Sequence, residues 1–231
     1  MTRSHLSLPL RRPSVRRATA TLAAVALAGS LLAGCASSPA AGAATPTPTP
    51  TPTASIAFDS VFTYDGSQTL TSEVADQLEV RLELWADEPK RTLEWTPDNP
   101  KSFGFAVNVY DHRVDEKAVL EQKRRVYISA ISITSQTSQT SGQVSQPFQF
   151  TADPRTLVPT DTLRSDQGLL LNSYQGGLLV PSTTIAQLPA DTYGLTLQFA
   201  MTVTVEGAAA GGAFTQQTVY QTVPIAIAPA A

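Results

Sequence analysis

The chain has 231 residues, 42% of them hydrophobic, with 16 Lys and Arg against 19 Asp and Glu and a single cysteine. One cysteine excludes an intramolecular disulfide and a Cys-rich zinc site, and a net charge of −3 without a basic stripe argues against nucleic acid as a partner. After residue 34 no run approaches the roughly 18 unbroken apolar residues that a spanning helix needs.

Residues 1–34 read as a secretion signal: Arg11, Arg12, Arg16 and Arg17 form a positive n-region, and "ATATLAAVALAGSLLA" supplies an apolar h-region too short to span comfortably. The run Leu32, Ala33, Gly34, Cys35 that follows resembles the lipobox of bacterial lipoproteins. The resemblance covers only this short run and its context. It implies cleavage before Cys35 and acylation of that residue, and two acyl chains suffice for stable anchoring where one does not. The expected location is the extracytoplasmic face of the cell membrane, reached through the lipid. Loss of residues 1–34 removes five basic residues and no acidic one, leaving 11 against 19, a net of −8. Arg16 and Arg17 are adjacent, but the "ATAT" after them lacks the bulky apolar pair of a twin-arginine signal, so the export route stays open.

Residues 35–54 form a linker behind the lipidated cysteine. Its "TPTPTPTPT" keeps the backbone near polyproline II, and at about 3.1 Å per residue this run spans roughly 28 Å. Its threonines resemble those of O-glycosylated stalks in composition.

Residues 55–231 read as one all-β domain. In chain order, 55–64 opens it. Val80, Leu82 and Leu84 alternate with Glu79, Arg81 and Glu83 in a half-buried strand. "RTLEWT" (91–96) is a shorter strand candidate, and Phe103, Phe105, Val107 and Val109 mark another half-buried strand. A helical turn is expected within 116–123, then strands at 125–134 and 147–151, with "TSQTSQTSGQVSQ" (134–146) between them as a long loop or hairpin tip. In the strongest strand, Tyr193, Leu195, Leu197, Phe199, Met201, Val203 and Val205 alternate with small and polar residues. Residues 214–228 are its hairpin partner across "GAAAGGA", and Pro224 places that partner at an edge or interrupts it.

"QLPADTYGLTLQ" (187–198) resembles the E–F corner of fibronectin type III and immunoglobulin-like domains. The resemblance implies a structural tyrosine corner, in which the Tyr193 hydroxyl bonds back to the main chain and Leu188 lies in the core beneath. The expected fold is therefore an enlarged immunoglobulin-like antiparallel β-sandwich behind a signal peptide and a Thr/Pro linker. It departs from the family in its length and in lacking the Cys…Trp…Cys pattern.

No catalytic motif stands out. His112 is the one histidine after the signal, neither a Gly-x-Ser-x-Gly elbow nor a Ser-x-x-Lys motif occurs, and Met201 belongs to the buried phase of its strand. Neither a metal site nor a cofactor is expected. Asp153, Asp161 and Asp166 share a loop-rich segment but lack the Asp-x-Asp-x-Asp spacing of a calcium loop. The densest charge cluster is 111–125, where an apolar island of Ala118, Val119 and Leu120 sits among mixed charges. Within it Arg113, Lys117, Val119, Leu120, Arg124 and Arg125 are the candidate partner-binding residues, because apolar islands rimmed by charge build interaction patches. The expected function is a non-catalytic binding or structural module of the cell envelope, tethered to the membrane and engaging another envelope protein or a glycan. The alternative is a carboxylate-dependent extracytoplasmic hydrolase acting on envelope glycans, with two acidic side chains close together in a cleft.

Overall fold

The computed structural model describes residues 58–173 and 176–230, all within the compact unit Thr53–Ala231. The signal, Cys35 and the Thr/Pro linker lie outside the described residues.

A short helix, α1 (Val61–Asp65), opens the described part, where the sequence reading has only an opening segment. Ser60 caps it by accepting from the Thr63 N–H at 3.0 Å, and Gly66 ends it at φ +69°, a left-handed conformation in which a Cβ would also collide with Pro89. Ten strands follow: β1 (Ser67–Ala75), β2 (Leu78–Ala86), β3 (Lys101–Asp111), β4 (Val126–Gln139), β5 (Gln149–Ala152), β6 (Arg164–Ser165), β7 (Gly168–Leu170), β8 (Leu178–Ile185), β9 (Thr192–Glu206) and β10 (Phe214–Ala226).

They form two antiparallel sheets that do not close into a barrel. One has the order β1-β2-β3-β8, the other β10-β9-β4-β7-β6 with β5 beside β4. β3 pairs with β8 in the first sheet and β4 with β9 in the second, so both the β3–β4 and the β8–β9 connections cross between sheets. With β2, β3 and β8 as strands A, B and E, and β4, β9 and β10 as C, F and G, this is the order of an immunoglobulin-like sandwich. β1 and the β5–β7 segment enlarge it.

The core is the set of alternate residues that the two sheets turn toward each other. Leu78, Val80, Leu82 and Leu84 of β2 and Phe103, Phe105 and Val107 of β3 meet Ile131 and Ile133 of β4 and Leu195 to Val203 of β9. Phe105 joins the layers, its ring edge-on to Phe199 at 5.6 Å and to Phe150 at 6.0 Å. β10 lies at a sheet edge with Pro224 still in register opposite Thr196. Its Gln217 and Gln221 reach across to β1, donating to the carbonyls of Val74 (2.7 Å) and Thr71 (3.0 Å) and so covering two exposed edges.

Three expectations are corrected. Residues 91–96 are not a strand: Pro89–Glu94 is a 3-10 helix, because Pro89 fits its first turn, Arg91 bridges Glu88 and Glu94 at 2.8 Å, and Thr92 donates to the Thr63 carbonyl. The 134–146 segment is not all loop, since β4 continues to Gln139 and buries Ser135, Thr137 and Gln139. The tyrosine corner does not form. Tyr193 is the extra residue of a bulge between Thr192, paired with Gln139, and Gly194, paired with Ser138, and its hydroxyl has no hydrogen-bond partner among the described residues. Leu188, assigned to the core with it, is buried there as expected.

Candidate functional site

The strand registers define two poles. Asp111 of β3, Val126 of β4, Glu206 of β9 and Phe214 of β10 share one pole; Lys101, Gln139, Thr192 and Ala226 share the other. The charged 112–125 loop leaves β3 at the first pole and returns into β4.

Its base is set by consecutive arginines. An extended chain sends adjacent side chains to opposite sides, and Arg124 and Arg125 go to different sheets. Arg124 is 2% exposed; its Nη2 and Nε donate to the Asp111 carboxylate at 2.9 and 3.2 Å, and Nη2 also donates to the Asp76 carbonyl at 2.6 Å in the β1–β2 turn. Arg113 adds a second guanidinium to Asp111 through Nε at 3.0 Å and Nη2 at 3.1 Å. Arg125 turns to the other sheet, donating from Nη2 and Nε to the buried Glu206 at 2.7 and 3.0 Å. Its own N–H and that of Gly211 in the β9–β10 hairpin complete the shell of Glu206 at 2.9 and 2.8 Å.

These bonds decide the ionisation of both carboxyls. Burial alone would push Asp111 up, but the hydrogen bonds from Arg113 and Arg124 outweigh it and hold the group well below the usual carboxylate range. The Arg125 hydrogen bond dominates at Glu206, bringing it down to about 2 against the opposing effect of burial. Both acids are charged, shielded and saturated by donors, so neither is placed to deliver a proton. Asp153 is likewise engaged by Arg155, whose Nη2 donates at 2.7 Å. Among the described residues no group of three or more His, Cys, Asp or Glu side chains is placed to hold a metal ion.

Beyond the clamp the loop is compact and exposed. The Lys117 N–H donates to the Asp115 carboxylate at 2.8 Å, and Lys123 Nζ donates to the Glu116 carbonyl at 2.5 Å. The expected helical turn is a 3-10 helix at Leu120–Gln122. Val119 is 58% exposed and Leu120 half-buried, and with Lys117 and Lys123 they line a groove of about 450 Å³ closed by Asn172 and Ser173. Asn172 fixes that wall, donating to the Arg124 carbonyl at 2.6 Å and accepting from the Val126 N–H at 3.2 Å. Beside the loop His112 is exposed, stacked on Tyr110 and 3.3 Å from Glu79, while Arg81 lies over the other partner of that stack, 4.0 Å from the Tyr110 centroid.

Of the six residues named from sequence, Lys117, Val119 and Leu120 therefore belong to the accessible loop, and Arg113 lies on it with its guanidinium committed to Asp111. Arg124 does not: it is buried and its guanidinium is used within the fold, a correction with a clear cause in the Asp111 carboxylate. Arg125 is half-buried and committed to Glu206. Glu206 and Asn172 also hold the site together and were not singled out, because the residues they bond lie far away in sequence; Asp111 was legible only as one charge of the 111–125 cluster. No family model, curated protein or solved structure matches this chain.

Proposed function

We propose that the protein is a lipid-tethered, extracytoplasmic binding module of the cell envelope that presents its 112–123 loop to another envelope protein. One observation carries the reading: the chain enters the domain at the pole opposite the loop. Phe58, the first described residue, packs on Tyr193 at the start of β9, whereas the loop is clamped to Glu206 at its end. Along β9, Tyr193 and Glu206 are 13 steps apart, and at about 3.3 Å each these separate the two by roughly 43 Å. The loop is thus remote from the point where the chain enters the domain, and its exposed apolar island framed by lysines suits a protein partner.

The tether is tested with Cys35→Ser, which moves the protein out of the membrane fraction as precursor or shed material; unchanged partitioning and unchanged N-terminal mass would reject it. The loop is tested by photo-crosslinking in cells from position 119 and, as control, from position 144 at the other pole. The expected result is one crosslinked envelope protein specific to position 119, lost when Leu120→Ser is added to the probe-bearing chain at unchanged melting temperature. Identical crosslinks from both positions would overturn the assignment.

A further inference from the structure

The opposite pole carries a cavity of a different chemical kind. It measures about 330 Å³ and lies between the end of β4, the hairpin tip around Gly142 and the start of β9. No residue lining it is charged: Gln136, Gln139, Gln143, Thr196 and Tyr193 supply its polar groups, and Val144 an exposed apolar one.

The floor is built rather than incidental. Gln139 is 7% exposed, and its amide donates to Thr137 Oγ1 at 2.7 Å and to Ser145 Oγ at 3.1 Å, which consumes both hydrogens and leaves its carbonyl oxygen as an acceptor with no donor among the described residues. Thr137 is fixed in turn by the Ser145 N–H at 2.8 Å. Tyr193 forms the aromatic wall. Phe58 braces it edge-on at 6.1 Å, and Phe58 has its seat because Gly194 lacks a side chain: a Cβ there would stand 2.4 Å from the Phe58 ring. Bracing that ring leaves the Tyr193 hydroxyl without a partner among the described residues.

We infer that this cavity is a binding site for an uncharged saccharide. A charged ligand entering it would give up hydration and meet no counter-charge. A wholly apolar one would strand the amides and hydroxyls around it. An uncharged sugar satisfies both demands: its hydroxyls both donate and accept, as do the side-chain amides of Gln136 and Gln143, and its C–H face packs on a phenol ring that is apolar in body and polar at the tip. The volume is at the low end for ligand sites and suits the terminal one or two units of a glycan. The site is separate from the 112–123 loop and stands or falls independently of the protein partner proposed for that loop.

The test uses the full chain in detergent, with maltose, cellobiose, mannobiose and N,N′-diacetylchitobiose as uncharged probes and a heparin disaccharide as the charged control, each titrated and followed by ligand-observed NMR. The expected result is weak, saturable binding of at least one uncharged disaccharide and none of the control. Gln136→Ala with Gln143→Ala, both at exposed positions, should weaken binding by about tenfold or more at unchanged melting temperature. Val119→Asp with Leu120→Ser should leave it unchanged. Absence of binding by all four probes up to about 20 mM, preference for the heparin disaccharide, or equal affinity in the glutamine variant would each overturn the inference.

Discussion

The two poles of the sandwich hold their loops in opposite ways. At the loop pole the polar groups taken out of water are mostly ions, Asp111 and Arg124 with the part-exposed Arg113, and Glu206 with the part-exposed Arg125. At the pole where the chain enters they are mostly neutral: Ser60 and Thr63 bond each other and β10, and Ser135, Thr137 and Gln139 bond the returning 145–148 segment. Charge-assisted bonds are roughly twice as strong as neutral ones and hold a long loop with little apolar anchorage. They are also brittle, since a lost partner leaves a charge stranded out of water. Lys101 is the exception at the neutral pole, a buried ammonium whose hydrogen bonds among the described residues go to the main-chain carbonyls of Pro97 and Asn99.

Removing an arginine from the charged pole tests this contrast most severely. Arg124→Ala leaves Asp111 with Arg113 alone and should cost about 3–5 kcal/mol in denaturant unfolding; a loss under about 1 kcal/mol would mean that Asp111 is wetter than its geometry implies. Acid comes next. Both carboxyls are lowered in the folded state, so their stabilisation is fully present above about pH 5 and is lost as pH falls, for Glu206 toward about 2. Glu206 accounts for an acid-linked loss of the order of 2–3 kcal/mol, and in Glu206→Gln the unfolding curves between pH 5 and pH 2.5 should depend less steeply on pH.

Lys101 titrates in the other direction. Burial pushes its ammonium down to about 8 against the pull of Asp98, so above pH 8 the unfolded chain binds more protons than the folded one and stability rises toward the unfolded lysine value. The rise should be about 1–2 kcal/mol between pH 8 and 10 and should vanish in Lys101→Met; an equal rise in both proteins would assign it to other groups. The smallest effect is expected for Tyr193→Phe. The hydroxyl bonds to none of the described residues, so the unfolding free energy should match wild type to within about 0.5 kcal/mol, whereas a corner bond would make the loss about 1 kcal/mol or more.

Much of the frame was readable along the chain. β2, β3, β9 and the β9–β10 hairpin follow from alternation because a strand with one face in the core must place apolar residues at every second position, whatever packs on it. β1 carries only Leu70, Val74 and Ala75 as half-buried apolar residues, and β8 contains Pro181, so neither produced that signal. The segment 134–139 reads as polar loop because its buried face is Ser135, Thr137 and Gln139, and those side chains become buriable only once the 145–148 backbone supplies their partners.

The site divides in the same way. The exposed island at Val119 between lysines was visible in the composition of the loop, since exposure of an apolar residue among charges is a local property. The fate of Arg124 and Arg125 was not. As neighbours they read as one basic pair, yet Arg124 pairs with a residue 13 positions back and Arg125 with one 81 positions on. Alternation and the positions of the charges can be read along the chain. Which charges are buried follows from the fold, because an ion leaves water only where folding has already brought its counter-ion and donors to the same place.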